Sequence, residues 1–267
     1  MTREVPKPLL SEDQKIRHDA DELRRLLLGE LGNMPTELET IQNAGRVFFN
    51  DPEGISLYGR PPSQWYREGF RVPGRTLVEA CIDPTAVRIT EAVRDTLSAR
   101  ETPELVVDLF AGSGNLMLHI GQSLAKPVLG IEKNHTVARL TARNLSLQGT
   151  SPSCLRHGDW GAYFTAPCPV EGVCLFIVAP PWQSAFSFAR GLDLRLTQPP
   201  VLTVLDTIAA RSGAGRNVAV VQTPMRSDVD AESLSELAAR HRILHAQPGC
   251  LIVEVLGRVR EGARHDQ

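Results

Sequence analysis

The pattern of hydrophobic and polar positions divides the chain into two unlike parts. From about residue 103 onward, short apolar runs alternate with stretches in which apolar residues recur every three or four positions. The runs Leu105 to Leu109, Val128 to Glu132, Cys154 to His157, Gly172 to Val178 and Asn217 to Gln222 predict strands. Helices are predicted over Gly114 to Leu124, Thr136 to Gln148, Val201 to Ser212 and Ala231 to His241. Early strands that are apolar throughout and separated by helices imply parallel pairing with both faces covered. The last runs, Ile243 to Ala246 and Leu251 to Leu256, lie so close that a tight turn around Gln247-Pro248-Gly249 must join them. That predicts an antiparallel hairpin closing a mostly parallel sheet.

Residues 1 to about 100 predict helices and loops instead. Ser11-Glu12-Asp13-Gln14 has the form of a capping box, followed by Ile16, Ala20, Leu23, Leu27 and Leu31 at helical spacing. Asp83-Pro84 predicts an N-cap and a first-turn proline, with a helix to about Ala99 and Val87, Thr90, Val93, Arg94 and Leu97 on one side. Between them, residues 50–76 are rich in proline and glycine yet carry Trp65, Tyr66 and Phe70, which suits an ordered loop or lid better than a linker. Arg60, Arg67 and Arg71 in that segment are either contacts to a substrate or solvated charges on a loop packed over the sheet. The organisation expected is an N-terminal extension over 1–102 (a candidate acceptor lid), a sheet domain over 103–258 and a polar tail over 259–267.

Composition narrows the class. Of 267 residues, 42% are hydrophobic and 22% charged, which is ordinary for a globular protein. The longest apolar runs are strand-sized, far short of the roughly 20 residues that span a bilayer, and Met1 to Leu10 lacks the apolar core of a signal peptide. Cys81, Cys154, Cys168, Cys174 and Cys250 are scattered with no Cys-x-x-Cys pair, so neither a metal centre nor a disulfide framework is expected. A reduced, cytoplasmic setting without membrane attachment is the simplest expectation. The net charge of −2 lends no bulk support to a nucleic-acid partner, although 29 Lys and Arg can still gather on one face.

The candidate chemistry begins where the first strand runs through Val107-Asp108-Leu109-Phe110-Ala111-Gly112-Ser113-Gly114 into a helix. A dinucleotide fingerprint would need a third glycine where Met117 stands, and Asp108 would face a pyrophosphate unfavourably. An acid at that place suits a cationic ligand such as S-adenosylmethionine (SAM), whose sulfonium and ammonium are both positive. Glu132 closes the next strand, where an acid can accept hydrogen bonds from both ribose hydroxyls or can simply cap a helix. After the third strand, Asp159 can bond an adenine amine or serve as a turn residue, and Trp160 can flank the ring or pack at the sheet edge. The fourth strand ends in Ala179-Pro180-Pro181-Trp182, a rigid turn at the sheet edge that open α/β folds use for ligands. Trp182 there is either a platform for a flat acceptor or a cover for the sheet edge. His119 and His135 fall in helical segments and read as surface or satisfied structural histidines.

Together these residues resemble the class I SAM-dependent methyltransferases, over roughly residues 103 to 258. The resemblance implies an α/β, Rossmann-like seven-stranded sheet with an antiparallel final hairpin. It implies SAM as cofactor, held by Asp108, Phe110, Ala111, Gly112, Gly114, Asn115, Glu132, Lys133, Asp159 and Trp160. Within the class, Ala179-Pro180-Pro181-Trp182 is similar to the Asn/Asp/Ser-Pro-Pro-aromatic motif of amino-group methyltransferases. It is nearest to the Ser-Pro-Pro-Trp of the trimethylguanosine synthase family, and the Asp108-to-Asn115 spacing also looks like that family and the ribosomal guanine-N2 methyltransferases. The resemblance implies that these four residues form the catalytic turn, with Trp182 stacking on a guanine-like acceptor, free or in RNA. Ala179 departs from the pattern: it has no side-chain acceptor for an amine, and only its backbone carbonyl remains. A biosynthetic small-molecule methyltransferase and a non-catalytic SAM-binding protein are the other readings this departure leaves.

Overall fold

The computed structural model describes residues 12–97, 102–165, 171–187, 189–213, 215–225 and 227–257. The expected cap Ser11, the helix end at Ala99, Cys168 and the tail 259–267 lie outside the described residues. The N-terminal part holds α1 (Glu12–Leu28), α2 (Leu38–Phe49), α3 (Pro62–Arg67), α4 (Thr76–Glu79) and α5 (Asp83–Thr96). Helix α1 stops at Leu28 rather than near Leu31, where Gly29 and Gly32 favour a turn over further helix. Helix α2, which the sequence pattern did not single out, is held by buried Ile41, Ala44 and Gly45.

Residues 50–76 are a packed segment. Trp65 and Phe70 are fully buried, and the Trp65 indole N–H donates to the Ile55 carbonyl at 3.2 Å. The Tyr66 hydroxyl bonds Glu37, while the Arg71 guanidinium lies 3.8 Å from the Tyr66 ring centre and donates to the carbonyls of Tyr66 and Phe70. Arg60 pairs with Glu68 at 2.6 Å. Trp65, Phe70, Arg60 and Arg71 thus find their partners within the segment and Tyr66 finds one at Glu37, while Arg67 alone of the three arginines is exposed.

The sheet comprises β1 (Leu105–Asp108), β2 (Val128–Glu132), β3 (Leu155–His157), β4 (Val173–Val178), β7 (Arg216–Gln222), β8 (Arg242–Gln247) and β9 (Cys250–Val255). A separate two-stranded ribbon is formed by β5 (Phe186–Ser187) and β6 (Gly191–Leu192). Strand order in the seven-stranded sheet is β3-β2-β1-β4-β7-β9-β8. All neighbours are parallel except β9, which runs antiparallel to both β7 and β8. Helices α6 (Asn115–Leu124), α7 (His135–Leu147), α8 (Val201–Arg211) and α9 (Ala231–Arg240) complete the fold. This is the Rossmann-like α/β sheet with an antiparallel final hairpin that the sequence predicts. The hairpin folds back so that β9, not β8, pairs with β7. Chain order reverses at β1, so the carboxyl ends of β1, β2 and β4 open onto one crevice, the usual ligand site of such sheets.

Burial explains the layering. One face of the sheet, with Val106, Leu175 and Val218, shares a single apolar cluster with α5, α6 and the N-terminal Leu27, Ile41 and Trp65. The other face packs on α8 and α9 through Val107, Phe176, Leu205 and Leu237. The N-terminal part thus shares an apolar core with one face of the sheet. On α5 the buried positions are Asp83, Ala86, Ile89, Thr90, Ala92 and Val93, while Val87 is exposed, so the inward face is rotated from the expected one. The N-cap is Ile82, not Asp83. The Asp83 carboxylate is drawn instead to the Gly59 N–H, the Asn115 amide and His119, each at 2.9 Å.

Met117, at the place of a third fingerprint glycine, is fully buried, and its room is made on the opposite element. A Cβ on Gly130 of β2 would stand 2.9 Å from the Met117 sulfur, the Ala111 Cβ and Leu155 Cδ1. Gly130→Val is expected to destabilise the fold by about 1–3 kcal/mol through overpacking, read as a lower unfolding midpoint. Met117→Ala in the same chain should recover part of the loss; no recovery would place the conflict elsewhere.

Candidate active site

The crevice is built on the end of β1. Leu109 donates its N–H to the Ile177 carbonyl at 3.1 Å and Ala111 to that of Ile131 at 2.9 Å, which pins the chain leaving β1 between β4 and β2. It then turns through Gly112 (φ +50°) and Gly114 (φ +73°), conformations that favour glycine. The two glycines do different work. A Cβ on Gly112 would meet nothing closer than the Phe110 carbonyl oxygen at 3.9 Å and would stand in the crevice. A Cβ on Gly114 would press on Thr141, Met117 and Leu145, so Gly114 serves helix packing.

Asp108, 3% exposed, lies at the foot of this crevice and accepts the Phe110 N–H at 3.0 Å. Burial pushes its carboxyl up to about 7, opposed by the Phe110 hydrogen bond and helped by the nearby Glu132 charge. Glu132 spans the two strand ends: Oε2 accepts the Gly112 N–H at 2.9 Å and Oε1 the Asn134 N–H at 2.6 Å. Each oxygen keeps a lone pair for a further donor.

The cavity is lined by Asp108, Phe110, Ala111, Gly112, Ser113 and Leu116, by Ile177 and Ala179 after β4, and by Gln222 at the end of β7. Glu79, Ala80 and Cys81 form its remaining wall from the N-terminal part. Of the residues expected at a cofactor, Asp108, Phe110, Ala111 and Gly112 therefore share one cavity, with Glu132 bonded across its rim. Trp160 joins through its ring, 6.3 Å from Phe110 and 6.2 Å from Phe164. Lys133 and Asp159 form an ion pair at 3.1 Å, their side chains 81% and 51% exposed, and Asp159 also accepts the Gly161 N–H.

Asn115 is placed elsewhere. It is 1% exposed, and its amide faces the N-terminal part, accepting the Tyr58 N–H and donating to the Cys81 carbonyl and Asp83. The Tyr58 hydroxyl donates to the Ser113 carbonyl at 2.7 Å, so the glycine turn is braced from behind by residues 58–83. Burial raises the Tyr58 pKa well above the usual phenol range, keeping that donor proton in place. His119 is satisfied by Asp83 at 2.9 Å, and His135 meets the His157 ring edge-on at 5.3 Å.

At the Pro-Pro-Trp turn, Ala179 lines the cavity, Pro180 is buried and Pro181 exposed. Trp182 is half-buried, its ring 6.1 Å from Phe186 and outside the cavity lining. The chain beyond is anchored by Arg195, which pairs with Asp193, Asp230 and Glu232.

Sequence reasoning missed Glu79 and Gln222. Glu79 lies on a one-turn helix with no periodic signal; it pairs with Arg75 at 3.1 Å, and burial raises its carboxyl pKa against that pairing. Gln222 ends a predicted strand, but only the sheet order, with β7 beside β4, brings it near Ala179. Among the described residues no group of three or more His, Cys, Asp or Glu is placed to hold a metal, and no helix is long and apolar enough to cross a membrane.

The donor set fits SAM. The buried Asp108 carboxyl, in one cavity with the open Gly112 turn, favours a cation over a pyrophosphate. No protein-family profile and no curated protein matches the sequence. Among solved structures, the chain is similar to the T. thermophilus 16S rRNA N2 G1207 methyltransferase, in complex with AdoMet and guanosine. Identity is 17% and the TM-score 0.48, over 75% of this chain and 49% of that one. It is similar to an rRNA methylase from Streptococcus thermophilus at 16% identity and TM-score 0.40, over 66% of this chain and 99% of that one. It is similar, too, to the mitomycin 7-O-methyltransferase MmcR at 15% identity and TM-score 0.41, over 90% and 66%. These neighbours are methyltransferases with different acceptors.

Proposed function

We propose that this chain is a SAM-dependent methyltransferase acting on a nitrogen of a planar, guanine-like heterocycle, free or in RNA. The observation that carries the proposal is the buried Asp108 beneath the Gly112 turn, in one cavity with Ala179 of the Pro-Pro-Trp turn. Asp108 would sit against the cationic methionine end, Glu132 would accept the ribose hydroxyls, and the Phe110–Trp160 pair would flank the adenine with Asp159 at its amine. Exchange of the exposed Lys133 partner for that amine costs little, because surface ion pairs contribute only about 0–1 kcal/mol.

Bound SAM supplies a sulfonium methyl: the acceptor lone pair forms the N–C bond, the C–S pair returns to sulfur, and the displaced proton leaves to water. Such a displacement asks for alignment and exclusion of water more than for a strong base. The rigid Ala179-Pro180-Pro181 turn holds the acceptor nitrogen near the Ala179 carbonyl, and Trp182 at the rim offers the flat face. Incubation with methyl-labelled SAM and guanosine, or an oligoribonucleotide containing it, should place label on base nitrogen; label only on carbon or oxygen of other compounds would refute the acceptor assignment. One observation favours a small molecule over RNA: Arg60, Arg71 and Arg75 are committed to internal partners rather than displayed to phosphates. Transfer to the oligoribonucleotide that weakens steeply with salt would instead favour RNA.

A further inference from the structure

We infer that Gln222 reads the hydrogen-bonding edge of the acceptor, supplying from the next strand the polar side chain that position 179 lacks. The inference rests on the methyltransferase reading and names the part of the site that selects the acceptor. Strands β4 and β7 are parallel neighbours in a register that pairs Val178 with Val221. Ala179, the first residue beyond β4, and Gln222, the last residue of β7, line the same cavity as Asp108 and Gly112. The Gln222 backbone is fixed, because it pairs with Cys250 of β9 and the next N–H, of Thr223, donates to the Gly249 carbonyl at 2.9 Å.

The other polar groups of the cavity are already engaged. Asp108 accepts from Phe110, Glu79 pairs with Arg75, the Ser113 carbonyl accepts from Tyr58 and the Ser113 hydroxyl accepts the Asn115 N–H at 3.4 Å. The Cys81 thiol is buried, and burial raises its pKa far above the usual range, so it is a weak neutral donor. Gln222 is half-buried and makes no side-chain hydrogen bond with any described residue. It is thus the uncommitted side-chain amide of this cavity among the described residues.

Its chemistry defines a ligand class. A primary carboxamide offers one acceptor oxygen and two N–H donors in a plane, with no charge. That matches a neutral heterocycle showing a donor beside an acceptor, such as an amine next to a ring nitrogen or a lactam edge. It offers nothing special to a carboxylate, a phosphate or a phenol. With Gln222 holding that edge, the nitrogen to be methylated is left beside the Ala179 carbonyl.

The test compares wild type, Gln222→Ala, Gln222→Leu and Gln222→Ala combined with Ala179→Asn. SAM affinity is measured by calorimetry, and initial rates are measured with labelled SAM and guanosine, adenosine or cytidine. We expect Gln222→Ala and Gln222→Leu to keep SAM affinity within about twofold while kcat/KM for the preferred nucleoside falls about 10- to 100-fold, the range for one or two hydrogen bonds. Ala179→Asn, returning an amide from the adjacent strand, should restore much of that loss. Unchanged kcat/KM in Gln222→Ala, or SAM binding by the wild type without transfer to any of the three nucleosides, would overturn the inference while leaving the SAM site standing. Failure of the wild type to bind SAM would overturn the underlying methyltransferase reading instead.

Discussion

Asp108→Asn is expected to make the ligand-free protein more resistant to heat and unable to bind SAM. Both effects follow from one buried carboxyl. Its pKa is pushed up to about 7 by burial, above the unfolded value near 4. Below about pH 4 both states hold the proton and the group costs nothing. As pH rises toward 7 the unfolded chain ionises first, and stability falls, by about 4 kcal/mol once both states are ionised. Asparagine keeps the shape and the acceptor for the Phe110 N–H at 3.0 Å while removing the charge. The variant should melt roughly 5–10 °C higher than wild type at pH 8, and the difference should vanish toward pH 4. SAM affinity should fall at least about 100-fold, the scale of deleting one partner of a buried charge pair. In the wild type the cation favours the carboxylate, so SAM affinity should rise between pH 6 and pH 8, with a proton released on binding below pH 7. Unchanged melting together with unchanged SAM affinity would remove Asp108 from the cofactor site.

Trp182→Ala is expected to separate acceptor from cofactor. The ring follows Ala179 by three residues, outside the cavity lining, half-buried and tilted 44° to Phe186. Stacking of a base on an aromatic side chain contributes about 1–3 kcal/mol, so kcat/KM for the acceptor should fall roughly 10- to 100-fold. SAM affinity should stay within about twofold, because Asp108, Gly112 and Glu132 are untouched. Trp182→Phe, which keeps a flat face, should retain most of the activity. A kcat/KM in Trp182→Ala close to wild type would make the ring a cover for the sheet edge and nothing more.

The sheet was legible because its strands are buried on both faces and leave continuous apolar runs, as in Val173–Val178. The glycine turn was legible as well, because an acid followed by Gly112 and Gly114 is a local pattern. What escaped depends on contacts between distant residues. Asp83 looks like an N-cap until Asn115 and His119, more than thirty positions away, take its carboxylate. Asn115 looks like part of the cofactor loop, yet Tyr58 and Cys81 draw it to the opposite side. Residues 50–76 look like a lid because proline and glycine break their pattern, while the structure buries Trp65 and Phe70. Glu79, on the one-turn helix α4, shares the cavity wall with residues of the turn after β1, a placement no periodicity announces.

The most direct test of the central claim is calorimetric titration of the wild-type protein with SAM and, separately, with NAD. A single SAM site is expected, weakened at least about 100-fold by Asp108→Asn, and no binding of NAD, since its pyrophosphate would meet Asp108. Binding of NAD without binding of SAM would contradict it.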